Sequence, residues 1–367
     1  MALFRRKAPA AKPAKPEPIT SDTPGQAGGR RKVCLALQGG GAHGAFQWGV
    51  LDRLLEDGRL DIRAVTAASA GAMNGAALVS GLATGGSDGA RAALDKLWRE
   101  TNQSGGKNVF GDTSIWSSAL TPSWLKDTTL WRASETLAMS MSPYEFNPLN
   151  LNPLKRVLNA SIDFEAVRGS EIKLHIAATA VRHARSRVFT NAEITDQVLL
   201  ASACLPQLFQ AVEIDGEPYW DGGYLANPPL WPLFYEDTPD DVLLITLNAF
   251  ERADTPKAPG DIMDRLNEVV FNAPLVAELR AVAFVQDLIE KGRLTPDGLG
   301  HYRHIFMHAI EADGWLGDLS LGSKFNTEWT FLNDLKTRGR AAADEWLEGC
   351  FAEVGVRSSV DLQARFG

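Results

Sequence analysis

Cysteine is scarce in this chain. Cys34, Cys204 and Cys350 are the three in 367 residues. They are odd in number and far apart, so they form no disulfide framework and read as reduced thiols of a cytoplasmic protein. Cys34 and Cys204 have apolar neighbours and read as core residues. Long apolar runs are missing as well. No stretch approaches the ~18 consecutive apolar residues of a membrane-spanning helix, and the first residues lack the apolar region of a secretory signal. Positive charge is in deficit. The net charge is −8, which argues against a nucleic-acid partner.

The positive charge that exists is concentrated at the start. Residues 1–32 carry eight basic residues against two acidic ones, among Pro and Ala and without any hydrophobic period. Residues 1–31 therefore read as a disordered basic arm, suited to a peripheral electrostatic contact with a membrane or lipid-granule surface through residues 1–32. A catalytic core is expected over 32–250. It is interrupted at about 98–160 by an irregular segment rich in aromatics (Trp98, Phe110, Trp116, Trp124, Trp131, Tyr144, Phe146). A helical extension packed on the core is expected over 251–367.

Hydrophobic periodicity gives the order of elements in the core. VCLALQ (33–38) is a short buried strand. AFQWGVLDRLLEDG (45–58) has helical spacing and ends on Gly58. AVTAA (64–68) is a second strand, and GAMNGAALVSGL (71–82) a helix of small residues. Strands return at 173–181, 185–191 and 241–248. QVLLASACLPQLF (197–209) reads as helical until Pro206. Leu275 to Ile289 mark a helix starting near Asn272 and Pro274, and a last helix runs from about Trp329 to Phe351. Alternation of strand and helix predicts a three-layer α/β/α fold with a mostly parallel central sheet.

The stretch LQGGGAHGAFQW (37–48) follows the first strand and contains G-x-G-x-x-G in Gly39, Gly41 and Gly44. In a dinucleotide-binding fold an acidic residue closes the second strand about 20 residues later. Here that position reads AVTAASAG and offers Ser69. The serine stands at a strand-to-helix junction with Ala67 and Gly71 two residues to either side, close to the G-x-S-x-G turn that presents a nucleophile above a parallel sheet. A helix N-cap serine is the ordinary alternative. With a nucleophilic serine, Gly39, Gly40 and Gly41 gain a different role. Their unobstructed N–H groups and the following helix N-terminus suit an oxyanion.

An activated serine needs a base. His43 lies in the glycine loop but has no evident carboxylate to orient it. HYRHIFMH (301–308) alternates like a strand. His304 and His308 would then stand roughly 13 Å apart, at about 3.3 Å per residue, too far to share a metal ion. Asp221 in YWDGGYLANPP is the other candidate. Asp-Gly is also a common turn pair, as at Asp215 and Gly216. An exposed Asp, with a pKa near 3.9, is a poor base, so Asp221 requires a partly desolvated site and direct contact with the serine.

Taken together, QGGGAHGAFQWGVL, AASAGAMNGA and ASACLPQLFQAVEIDGEPYWDGG resemble the patatin-like phospholipases over roughly residues 32–250. The resemblance implies a Ser–Asp dyad without histidine, with Ser69 as nucleophile and Asp221 as base. It implies an oxyanion loop of Gly39, Gly40 and Gly41, with Ala67, Gly71, Gly222 and Gly223 supporting the elbow and the dyad, and no cofactor or metal. Two departures stand out: Ala67 replaces the first glycine of the elbow, and His43 stands where the family more often has Arg or Lys. The expected function is hydrolysis of lipid acyl esters, with no nucleic-acid partner. The same dyad would also serve a polyhydroxyalkanoate depolymerase or a thioesterase, and a lipid-binding protein with weak catalysis is the non-enzymatic alternative.

Overall fold

A computed structural model describes residues 29–105, 141–235, 237–294, 303–317 and 319–366. Most of the basic arm lies outside these residues, as do His301 and Phe110, Trp116, Trp124 and Trp131 of the aromatic segment.

The described residues form one eight-stranded sheet flanked by helices. Its strands are β1 (Arg31–Leu37), β2 (Leu60–Ala67), β3 (Lys173–Ala180), β4 (Arg185–Phe189), β5 (Val212–Ile214), β6 (Glu217–Asp221), β7 (Asp241–Ile245) and β8 (Phe306–Ile310). The order is β5-β6-β3-β2-β1-β7-β8, with β4 also pairing with β3. Strands β3, β2, β1, β7 and β8 are parallel, while β4, β5 and β6 pair antiparallel. This is the predicted α/β architecture. The parallel strands read as continuous apolar runs because helices cover both of their faces; β1 is buried from Val33 through Leu37.

Helix α1 (Gly44–Asp57) follows β1 and stops at Gly58, which takes the left-handed conformation (φ 73°) that glycine adopts without steric cost. Helix α2 begins at Ala70 and reaches Gly105, well beyond the expected residue 82, with non-helical geometry at Gly85 and Gly86. Helix α3 covers Leu154–Ser161. Helix α4 (Asp196–Ser202) stops short of Pro206, whose ring disfavours helical geometry in the residue before it.

The next helix corrects the sequence reading. Helix α5 spans Pro259–Glu290, with Pro274 in its interior rather than near its start. The start is set by Pro259 in the first turn, where a missing N–H costs nothing. Of the expected inward face, Leu275, Leu279 and Val282 are buried, while Val285 and Ile289 toward the end of the helix are half-buried.

Residues beyond 250 also add to the sheet, because β8 pairs with β7 along its whole length. Helix α6 (Trp329–Gly349) crosses α1 at very short range. A Cβ at Gly49 would strike the Lys336 carbonyl, and one at Gly339 the Phe46 carbonyl. Each glycine thus admits the backbone of the opposite helix. Among the described residues no helix is long and apolar enough to cross a membrane.

Candidate active site

The glycine loop and Ser69 leave the same edge of the sheet. Leu37, the last residue of β1, pairs with Ala67, the last of β2, so the segments that follow emerge side by side. β1 is also where the crossovers diverge, toward β2 on one side and β7 on the other, the position at which open α/β sheets hold ligands. Asp221 reaches this edge from the antiparallel part. Ala67 pairs with Ile176 and Ala178 pairs with Asp221. Asp221 therefore stands two residues beyond the Ala67–Ile176 pair, at the end of the sheet where the Ser69 turn begins.

Ser69 adopts φ 54°, a left-handed conformation rare outside glycine and a form of strain that recurs at active sites. Its surroundings enforce the turn. A Cβ at Gly71 would run into the Leu37 carbonyl, and one at Gly39 would lie 2.7 Å from Ser69 Cβ. Ala67, the departure from glycine, is fully buried as the closing residue of β2, and the turn is made after it. The Ser69 N–H donates to Ser202 Oγ at 2.9 Å.

Asp221 closes β6 and is 1% exposed. Its Oδ1 accepts the Gly223 N–H at 2.7 Å, and its main chain is fixed by Thr179 Oγ1 (2.8 Å) and by the Cys204 carbonyl (2.8 Å). Gly222 is required here because a Cβ would meet the Ala177 carbonyl. Oδ2 accepts no hydrogen bond of ordinary geometry among the described residues, although the Ser69 hydroxyl lies close enough to act on the carboxyl. Burial pushes the carboxyl up to about 7, while the Ser69 hydroxyl, the Gly223 N–H and the Lys324 charge draw it down. Near neutrality such a carboxyl can both accept and return a proton.

Carboxamides hold the glycine loop. Asn227 Oδ1 takes the Gly39 N–H at 2.7 Å, and Asn248 Nδ2 donates to the Gly39 carbonyl at 3.0 Å. Gln38 Oε1 accepts from the N–H groups of Leu247 and Asn248, and its Nε2 donates to Asn272 Oδ1. This separates the three expected oxyanion donors. The Gly39 N–H is already engaged, whereas those of Gly40 and Gly41 have no acceptor among the described residues. Gly41 needs its glycine, with φ 59° and the Lys324 carbonyl 2.5 Å from where a Cβ would sit.

A cavity of about 310 Å³ opens over these groups. Gly40, Gly41, Ser69, Asp221 and Lys324 lie at its polar end. Met73, Leu97, Trp98, Leu154, Val157, Leu205, Phe209 and Phe325 form its apolar walls. Of the aromatic segment, Trp98, Leu154 and Val157 thus line the cavity. His43 does not. It faces a separate small cavity, and its Nε2 is 2.7 Å from Ser323 Oγ. His308 is distant from the site and is held by Asp241 and Ser359.

Sequence reasoning missed Ser202, Asn227, Asn248 and Lys324. Ser202 and Asn227 lie within stretches already singled out, ASACLPQLF and YWDGGYLANPP. Asn248 and Lys324 carry no local signal.

A family model described as patatin-like phospholipase matches residues 35–234. No curated protein matches the chain. Among solved structures, VipD from Legionella pneumophila is similar at 14% identity and a TM-score of 0.41, over 87% of this chain and 67% of that one. The ExoU–SpcU complex from the type III secretion system of Pseudomonas aeruginosa is similar at 18% identity and a TM-score of 0.31, over 87% of this chain and 59% of the other.

Proposed function

The chain belongs to the patatin-like phospholipase family, and from that premise we propose that it hydrolyses lipid acyl esters with Ser69 as nucleophile and Asp221 as base. The observation that carries this reading is the pairing of a strained serine with a buried carboxylate. Both stand at the polar end of a cavity whose walls suit an acyl chain.

Asp221 Oδ2 takes the hydroxyl proton as Ser69 Oγ attacks the ester carbonyl carbon. The carbonyl electrons move onto oxygen, and the N–H groups of Gly40 and Gly41 meet that charge. Collapse of the tetrahedral intermediate breaks the ester C–O bond. The departing alcohol takes the proton from Asp221, leaving an acyl-Ser69 enzyme. Water, deprotonated by Asp221, then attacks the acyl group, and the fatty acid leaves as Ser69 regains its proton.

The test is labelling with a fluorophosphonate followed by mass spectrometry. A single adduct is expected on Ser69, absent from Ser69→Ala and suppressed in Asp221→Ala. Hydrolysis retained by folded Ser69→Ala refutes the mechanism.

A further inference from the structure

A buried lysine lies beside the dyad. Lys324 belongs to the short 3-10 turn Leu321–Phe325, far beyond residue 234, where the family match ends. Its Nζ donates to Asn248 Oδ1 (2.6 Å) and Asn267 Oδ1 (2.8 Å), and lies 5.8 Å from the centre of the Phe271 ring. Both direct partners are neutral amides. Glu268, the carboxylate that acts most strongly on this charge, is already tied to Arg252 and Arg265.

Two contacts connect Lys324 to the glycine loop. Asn248, which accepts from Nζ, donates its own Nδ2 to the Gly39 carbonyl. The Lys324 carbonyl also packs on Gly41 from the other side. The same side chain lines the cavity with Ser69 and Asp221.

We infer that Lys324 is a positioning residue for the dyad, bracing the glycine loop through Asn248 and placing a positive charge in the cavity that favours the carboxylate form of Asp221. The inference rests on the Ser69–Asp221 reading. Other titratable groups face Asp221, namely the Cys204 thiol and the Tyr224 phenol, and burial pushes both up to about 12. They are uncharged at neutral pH. Asp264 and Glu268 face Lys324 in turn, and their charges, with that of Asp221, favour its protonated form against burial, which draws it down to about 8.

The experiment compares the parent with Lys324→Met, Lys324→Gln and Lys324→Arg. Rates on a short neutral ester are measured from pH 5 to 9, with active sites counted by fluorophosphonate labelling. In Lys324→Met the acid limb should move to higher pH and KM should change less than about threefold. A limb shifted by one unit lowers the rate below it about tenfold. Lys324→Arg should keep the limb near its parental position. If Lys324→Met does not fold, Lys324→Gln is read in the same way. A neutral variant whose limb stays in place, whatever its melting temperature, overturns the inference. A parent enzyme without a Ser69 adduct overturns the dyad reading instead.

Discussion

Gly39 and Ser69 touch. A methyl group on Gly39 would stand 2.7 Å from Ser69 Cβ, closer than two carbons can lie without displacement. Gly39→Ala should therefore shift the serine or the loop while leaving the core intact. Misplacement of about 1 Å costs on the order of 10² in rate. We expect kcat to fall by about that factor with near-parental thermal stability. Full activity in this variant would mean that loop and serine do not act together.

Asn227 should matter through the loop it holds. Asn227→Ala leaves the buried Gly39 N–H and Phe271 carbonyl without their side-chain partner. An orphaned buried polar group costs about 1–3 kcal/mol. Urea unfolding should show a loss of that size. Asn227→Asp keeps the acceptor for Gly39 but sets a carboxylate against the Phe271 carbonyl in a buried site, so it should recover stability only at low pH, where it is protonated. An Asp variant as stable as the parent at pH 8 would show the Phe271 contact to be dispensable.

Asp221 should leave a signature in stability as well as in rate. Its carboxyl is raised from the ordinary 3.8 to about 7. Between those values the folded protein holds a proton that the unfolded chain has released. Stability from this group is thus present at low pH and is lost as pH rises toward 7. Asp221→Asn does not titrate there. Its stability relative to the parent should grow between pH 5 and pH 8, by at most about 3 kcal/mol, while hydrolysis is lost. Urea unfolding at the two pH values measures the difference; curves that run parallel would place the carboxyl near its ordinary value.

The crossing of α1 and α6 provides a test away from the chemistry. Gly339→Leu drives a side chain into the Phe46 carbonyl. Overpacking of this kind costs typically about 1–3 kcal/mol. We expect a lower melting temperature with unchanged labelling of Ser69 in the protein that remains folded. A melting temperature equal to the parent's would show that the helices can separate freely.

The sequence made some of this legible for a physical reason. A tight turn demands small residues locally, so the glycine loop, Ser69 and the Asp-Gly-Gly turn stand out by composition. The short apolar strands stand out because they are buried on both faces. What holds the site was not legible, since Asn248 and Lys324 meet Gly39 and Gly41 across hundreds of residues and follow no period. The start of α5 was misread because Pro274 resembles a helix start as much as Pro259 does, and only packing of the preceding turns distinguishes them. His43 looked like a candidate base by position, yet its ring is turned toward Ser323.

The pairing of β7 with β8 bears on how the protein can be shortened. A fragment ending where the family match ends, at residue 234, would lack both strands and would leave the backbone groups of β1 that face β7 without partners. One ending at residue 250 would keep β7 but strip it of β8, presenting a fully apolar edge, Asp241 excepted, to any other strand in solution. Such fragments should precipitate or pair with one another before their catalytic competence can be judged, and an inactive fragment would say nothing about Ser69.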